Sequence, residues 1–232
     1  MTLWIIFGIF ALTSWIVSSR LKSKFKKYSQ IPLPYSGAEI AQRMLRDNGV
    51  NNVTIHPVDG SLTDYYDPSN YSVNLSSDVY SSRTVAAAAV AAHETGHALQ
   101  HAQGYKAMAL RSALVPILNV SNTVLNVIFI GSFLFAFIMP SLFPYTLALK
   151  IIIAAYAIIT AFSFITLGVE VDASRRAINW LTDSGVITHG ETRDGAVDAL
   201  KWAAYTYLVA ALSSLATLAY YVLQLLGSSN RD

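Results

Sequence analysis

In the run HETGHALQH, His93 and His97 stand four residues apart with Glu94 beside the first. On a helix, positions i and i+4 differ by roughly 40° of rotation and about 6 Å of rise, so two imidazoles there converge on one tetrahedral ion. Glu94 then lies next to the ion without having to bind it. A carboxylate so placed can take a proton from water attacking a carbonyl carbon and pass it to the leaving amine, which is the chemistry of a zinc hydrolase.

Two histidines do not complete such a site. His101, at i+8 from His93, is about 12 Å further along a helix and cannot share the ion unless the helix breaks. Proteases that take a third histidine from the same motif place a glycine before it, six residues after the second ligand. Here the interval is four, and Ala98, Leu99 and Gln100 intervene. Nothing around His56 or His189 marks either as a ligand. Carboxylates remain, and Glu170 in GVEVDASRRA leads, because an acidic residue at the end of an apolar span needs a partner or a function. Asp172 is the alternative, with Arg175 and Arg176 beside it. Tyr65, Tyr66, His189 and Arg175 are chemically able to stabilise an oxyanion, and spacing selects none of them.

The elements that must position these residues are partly legible. Ser81 or Ser82 caps a helix that runs through the alanines 86–92, strong helix formers, into the metal motif and stops near Gly104. Upstream, Ser36 with Glu39 is a capping box for a helix closed by Asn48 and Gly49, and Val50 to Val58 reads as a strand followed by a turn at Asp59 and Gly60. After a break at Asp67 and Pro68, the alternation of Tyr71, Val73 and Leu75 reads as an exposed or edge strand. Near a metal site an edge can hold an extended peptide substrate, although a hairpin without ligand role fits the pattern equally. Gly185, Gly190 and Gly195 suggest that the stretch from Thr182 to Asp198 is a flexible loop or lies over the site.

Composition places these parts at a membrane. Of 232 residues, 53% are hydrophobic and 13% charged, against roughly 25% charged in soluble domains. Four stretches, 2–18, about 114–139, about 146–167 and 202–226, are apolar over close to the about 20 residues that a bilayer requires. The first lacks a basic start and a small-residue cleavage site and is followed by Arg20, Lys22, Lys24, Lys26 and Lys27, so it reads as a retained anchor. Fourteen of the 16 Lys and Arg fall within 19–113 and 168–201, which predicts that both stretches are cytoplasmic, with the N-terminus outside. The organisation expected is an anchor (1–19), a cytoplasmic unit with the metal helix (20–112), a membrane hairpin (113–168), a cytoplasmic segment with the third ligand (169–201), and a last span with a short tail (202–232). The fold class expected is mainly α and membrane-embedded, with about four spans and a small α+β zincin-like unit. The net charge of +2 gives no reason to expect nucleic acid, and the absence of cysteine excludes disulfides and thiolate ligands. Within the second span, Asn119, Asn122, Thr123 and Asn126 form a polar stripe, expected to be hydrogen-bonded glue between helices or the lining of a wet cavity.

Several stretches resemble the YugP-type family of neutral zinc metallopeptidases, prokaryotic membrane proteins, and through it the group that includes HtpX and the CAAX-prenyl endopeptidases. They are the anchor with KFKKYSQIPLPYSGAEIAQRML, then LTDYYDPSNYSVNLS, AAHETGHALQHAQGY with RSALVP, and VEVDASRRA, together spanning residues 1 to about 180. The resemblance implies a gluzincin-type endopeptidase with Zn2+ held by His93, His97 and Glu170, and Glu94 as general base. Much of the wider group has an aspartate four residues after the ligand glutamate, orienting a zinc-bound histidine. Here that position is Ser174, leaving either Asp172 or Ser174 to orient a ligand. The function expected is peptide-bond hydrolysis at the cytoplasmic face, on peptides or proteins that include membrane proteins. The alternative is a zinc-binding membrane scaffold or regulator, against which an intact Glu94 argues, since a structural site has no use for it.

Overall fold

The computed structural model describes residues 2–138, 145–188 and 190–229. Among them the element order is α1 (Thr2–Tyr28), α2 (Gly37–Asp47), β1 (Thr54–Val58), β2 (Tyr65–Asp67), β3 (Ser72–Ser76), α3 (Ser77–Tyr80), α4 (Val85–Ala102), α5 (Lys106–Ile138), α6 (Tyr145–Asp183) and α7 (Glu191–Ser229). The fold is mainly α with a small α+β part, and α1, α5, α6 and α7 are each long and apolar enough to cross a bilayer. The chain divides into two compact units.

One unit comprises Met1–Ser14, Leu110–Leu167 and Tyr207–Asp232. At its centre Leu125 of α5, Leu149, Ile152 and Ala155 of α6 and Tyr221 of α7 are buried together, with Leu3 of α1 packed against them. Large apolar side chains such as Trp4, Val120, Val127 and Leu223 point outward instead, an arrangement suited to a hydrocarbon solvent.

The other unit comprises Trp15–Ala109 and Gly168–Thr206. The capping box that opens α2 is complete: Glu39 N–H donates to Ser36 Oγ, and Ser36 N–H donates to the Glu39 carboxylate at 2.7 Å. Asn48 caps the other end, and Gly49 at φ +70 turns the chain out. Ile40, Met44 and Leu45 of α2 pack with Val73 and Leu75 of β3, the alanines of α4, Leu181 of α6 and Leu200 of α7 in one core. Alanine along α4 lets neighbouring elements approach closely without side chains to clear, so all of Ala86–Ala89 are fully buried.

Three expectations are corrected. The strand carrying Val73 and Leu75 is the centre of the sheet: the order is β1-β3-β2, with β1 parallel and β2 antiparallel to β3. Tyr71 lies in the turn before it at φ 50, and every residue of β3 is buried, so Tyr71, Val73 and Leu75 offer no free edge. Helix α4 is capped by Thr84, whose Oγ1 accepts from Ala87 N–H, and not by Ser81 or Ser82. A backbone bridge between Pro32 and Thr84 keeps the chain extended up to the cap. Finally, the stretch from Thr182 to Asp198 is mostly helical, because α6 runs to Asp183 and α7 begins at Glu191. Gly185 and Gly190 have the positive φ of turn formers, whereas Gly195 lies inside α7, where an added Cβ would stand 2.8 Å from the Tyr28 ring.

Candidate metal centre

Helix α4 places His93 and His97 one turn apart, their rings edge-to-face with centroids 4.8 Å apart. The third donor arrives on α6, whose helix continues past its apolar stretch and carries Glu170 in register with the histidines. Glycine inside the motif makes that approach possible. A Cβ at Gly96 would stand 2.8 Å from the Ala173 carbonyl oxygen and 3.3 Å from the adjacent backbone carbons, so only glycine lets the two helices meet there.

Glu170 Oε2 lies 3.2 Å from His93 Nε2 and 3.4 Å from His97 Nε2, and the three residues form a group able to hold a metal ion. On a tetrahedral zinc with bonds of about 2.0–2.1 Å, neighbouring ligand atoms stand about 3.3 Å apart, so the donors are already at ligand spacing. All three side chains are almost fully withdrawn from solvent.

Hydrogen bonds behind the rings aim them. Gln100, fully buried, gives both amide hydrogens away, to the Val169 carbonyl at 2.8 Å and the Asp172 carboxylate at 3.0 Å. Its oxygen is therefore an acceptor, and His97 Nδ1, at 2.9 Å, must be the donor. With that tautomer the Nε2 lone pair of His97 meets the Glu170 oxygen, and such a pair needs a cation between its members, a metal or a proton. Burial pushes the His97 pKa down, but the Glu170 hydrogen bond and the charges of Glu94 and Glu170 outweigh it, and the net shift is upward. On the other ring, Ser174 Oγ is 3.1 Å from His93 Nδ1.

Asp172 lies outside this donor group. Its two oxygens are taken by Gln100, Arg175 and Arg176, and it reaches His97 only through Gln100. Ser174 lies at His93, and Asp172 reaches His97 by way of the Gln100 amide. Gln100 is the residue that sequence reasoning missed. The available signal was a strongly polar side chain on the alanine-lined face of the helix, where nothing but a specific partner would justify burying it.

Glu94 sits among these groups. Burial pushes its carboxyl above the usual carboxylate range; the two histidines pull it down, while Glu170 and Asp64 push it further up. Asp64 itself is held by Ser76, whose N–H and hydroxyl both donate to it, and burial raises its pKa against those bonds.

His101 stands apart from the donor group. Tyr66, on β2, places its hydroxyl 2.8 Å from His101 Nδ1, and the Tyr71 ring stacks on the imidazole at 5.2 Å. Burial pushes the Tyr66 phenol up to about 12. Of the other oxyanion candidates, Tyr65 is exposed and Arg175 is paired with Asp172; His189 lies outside the described residues.

The chain thus carries four helices long and apolar enough to cross a bilayer and a buried two-histidine, one-glutamate group able to hold a metal ion. A family model described as "Putative neutral zinc metallopeptidase" matches residues 3–226. The chain is 38% identical over 215 residues to the "Putative membrane protease YugP" of Bacillus subtilis (strain 168), which covers 92% of each chain. The chain belongs to this zinc metallopeptidase family. It is a multi-pass membrane protein, and zinc is the ion that its donor set and its family support. No solved structure matches it.

Proposed function

We propose that the chain is a membrane zinc endopeptidase that hydrolyses peptide bonds at the cytoplasmic face, with Glu94 as general base. The observation that carries this reading is the spacing of His93, His97 and Glu170, a three-donor set that leaves the fourth position of a tetrahedral ion open, with a non-ligand carboxylate adjoining it. Zinc bound there supplies Lewis acidity, polarising a carbonyl and acidifying water. Glu94 takes the proton of the attacking water and returns it to the leaving amine, a role suited to a carboxyl raised above its ordinary range. Gln100 and Ser174 hold the imidazoles so that their Nε2 atoms face the ion.

An extended substrate would pair with β2, the sheet edge whose Tyr66 reaches α4. Peptides and proteins, membrane proteins among them, are the substrate class that a site on a multi-pass protein would meet. The cytoplasmic orientation rests on the 14 Lys and Arg within 19–113 and 168–201. The test is Glu94→Gln in the full-length protein reconstituted in lipid: it retains zinc at the parental stoichiometry and loses cleavage of an unfolded protein substrate. A variant that cleaves as fast as the parent removes Glu94 from the reaction.

A further inference from the structure

Helix α5 carries three amides that have no hydrogen-bond partner among the described residues. Asn119, Asn122 and Asn126 are all exposed, and at 100° per residue they fall within an arc of about 60°. Among the described residues no hydrogen bond reaches their side chains; Thr123 beside them returns its hydroxyl to the Asn119 carbonyl at 2.9 Å. The face that α5 turns inward is a different one, marked by the buried Ser121 and Leu125. Among the described residues, the stripe is not bonded to another helix of the chain.

The stripe lies within the membrane-crossing part of α5. Counted from residue 114, where the apolar stretch begins, the three amides sit about 8 to 18 Å along the helix, inside a hydrocarbon layer about 30 Å thick. Their neighbours Val120, Val127 and Ile130 are more than 60% exposed and apolar, as contact with lipid tails requires. Hydrocarbon offers an amide nothing, so a row of three demands a partner.

Spacing and chemistry together say what kind. Ser112, Val115, Asn119, Asn122, Asn126 and Phe129 follow one another at intervals of three and four and are all exposed, the seam along which two helices pack at a shallow angle. An asparagine amide both donates and accepts, so the same stripe related by a two-fold axis is its own complement. We propose that α5 is a self-association surface, on which Asn119, Asn122 and Asn126 pair with the same residues of a second copy of this chain.

The chain has no cysteine, which makes the test clean. Asn122→Cys and Val127→Cys are compared in the full-length protein at low protein-to-lipid ratio, the two positions being about 140° apart around the helix. On mild oxidation Asn122→Cys forms a disulfide-linked dimer and Val127→Cys does not. Replacing Asn119, Asn122 and Asn126 together by Leu weakens dimerisation in lipid by about tenfold or more, while one zinc per chain is retained, which excludes unfolding as the cause. The proposal is overturned if both cysteines cross-link equally or neither does. It is also overturned if Asn122→Cys reacts with a membrane-impermeant maleimide as fast as an aqueous thiol, the mark of a wet cavity. Cross-linking in native membranes to a species of another mass would equally overturn it.

Discussion

Replacing Gln100 by Leu keeps most of the side-chain volume and removes the amide that links His97 to Asp172. Three hydrogen bonds go: those to Val169 O at 2.8 Å, to Asp172 Oδ2 at 3.0 Å, and from His97 Nδ1 at 2.9 Å. Asp172 keeps Arg175 and Arg176, and the Val169 carbonyl keeps its place in a helical ladder. The uncompensated loss is the buried His97 N–H, which costs about 1–3 kcal/mol when orphaned. Loss of such an outer partner weakens metal binding by about 10- to 100-fold, or about 1.4–2.7 kcal/mol, a range that agrees with the first. The assay is zinc affinity of the reconstituted protein by chelator competition, with thermal unfolding of the metal-free form alongside to separate a loosened ligand from a damaged fold. Zinc affinity within about twofold of the parent, with unchanged unfolding of the metal-free form, would refute the claim that the amide governs His97.

Gly96→Ala forces a methyl group against the Ala173 carbonyl; separating the helices costs about 1–3 kcal/mol as overpacking and moves Glu170, so melting temperature and zinc occupancy fall together, and no change in either would show the contact to be slack. Asp64→Asn removes a negative charge that raises the Glu94 pKa. Because Glu94 must be ionised to accept a proton, the acid limb of the kcat/KM profile moves to lower pH; a shift to higher pH, or none, contradicts the coupling.

What could be read along the chain depended on the range of the interactions. The Ser36 and Glu39 capping box and the Asn48, Gly49 exit are made within four residues, so residue type alone announces them. The strand at Ser72–Ser76 misled for a physical reason. Its alternating apolar and polar residues have the pattern of a one-sided edge, but both faces are covered, because the polar face is satisfied internally. Asn74 donates to Ser72 Oγ at 2.9 Å, and Ser76 donates to Asp64. Gly195 likewise carries a turn former's identity for the sake of a packing contact with Tyr28, 167 positions away.

By itself the sequence determined the metal chemistry and the membrane. Two histidines at helical spacing, a carboxylate between them and four apolar runs are local properties, set by helix geometry and by the lipid solvent. Only the tertiary structure decided which carboxylate stands with the two histidines, because Glu170 and Asp172 differ by two residues on one helix and therefore point about 160° apart. The first faces Nε2 of both histidines, and the second faces Gln100 and two arginines. Tertiary packing also buried Gln100 against α6 and left the α5 amides without partners among the described residues, since both facts depend on which surfaces meet.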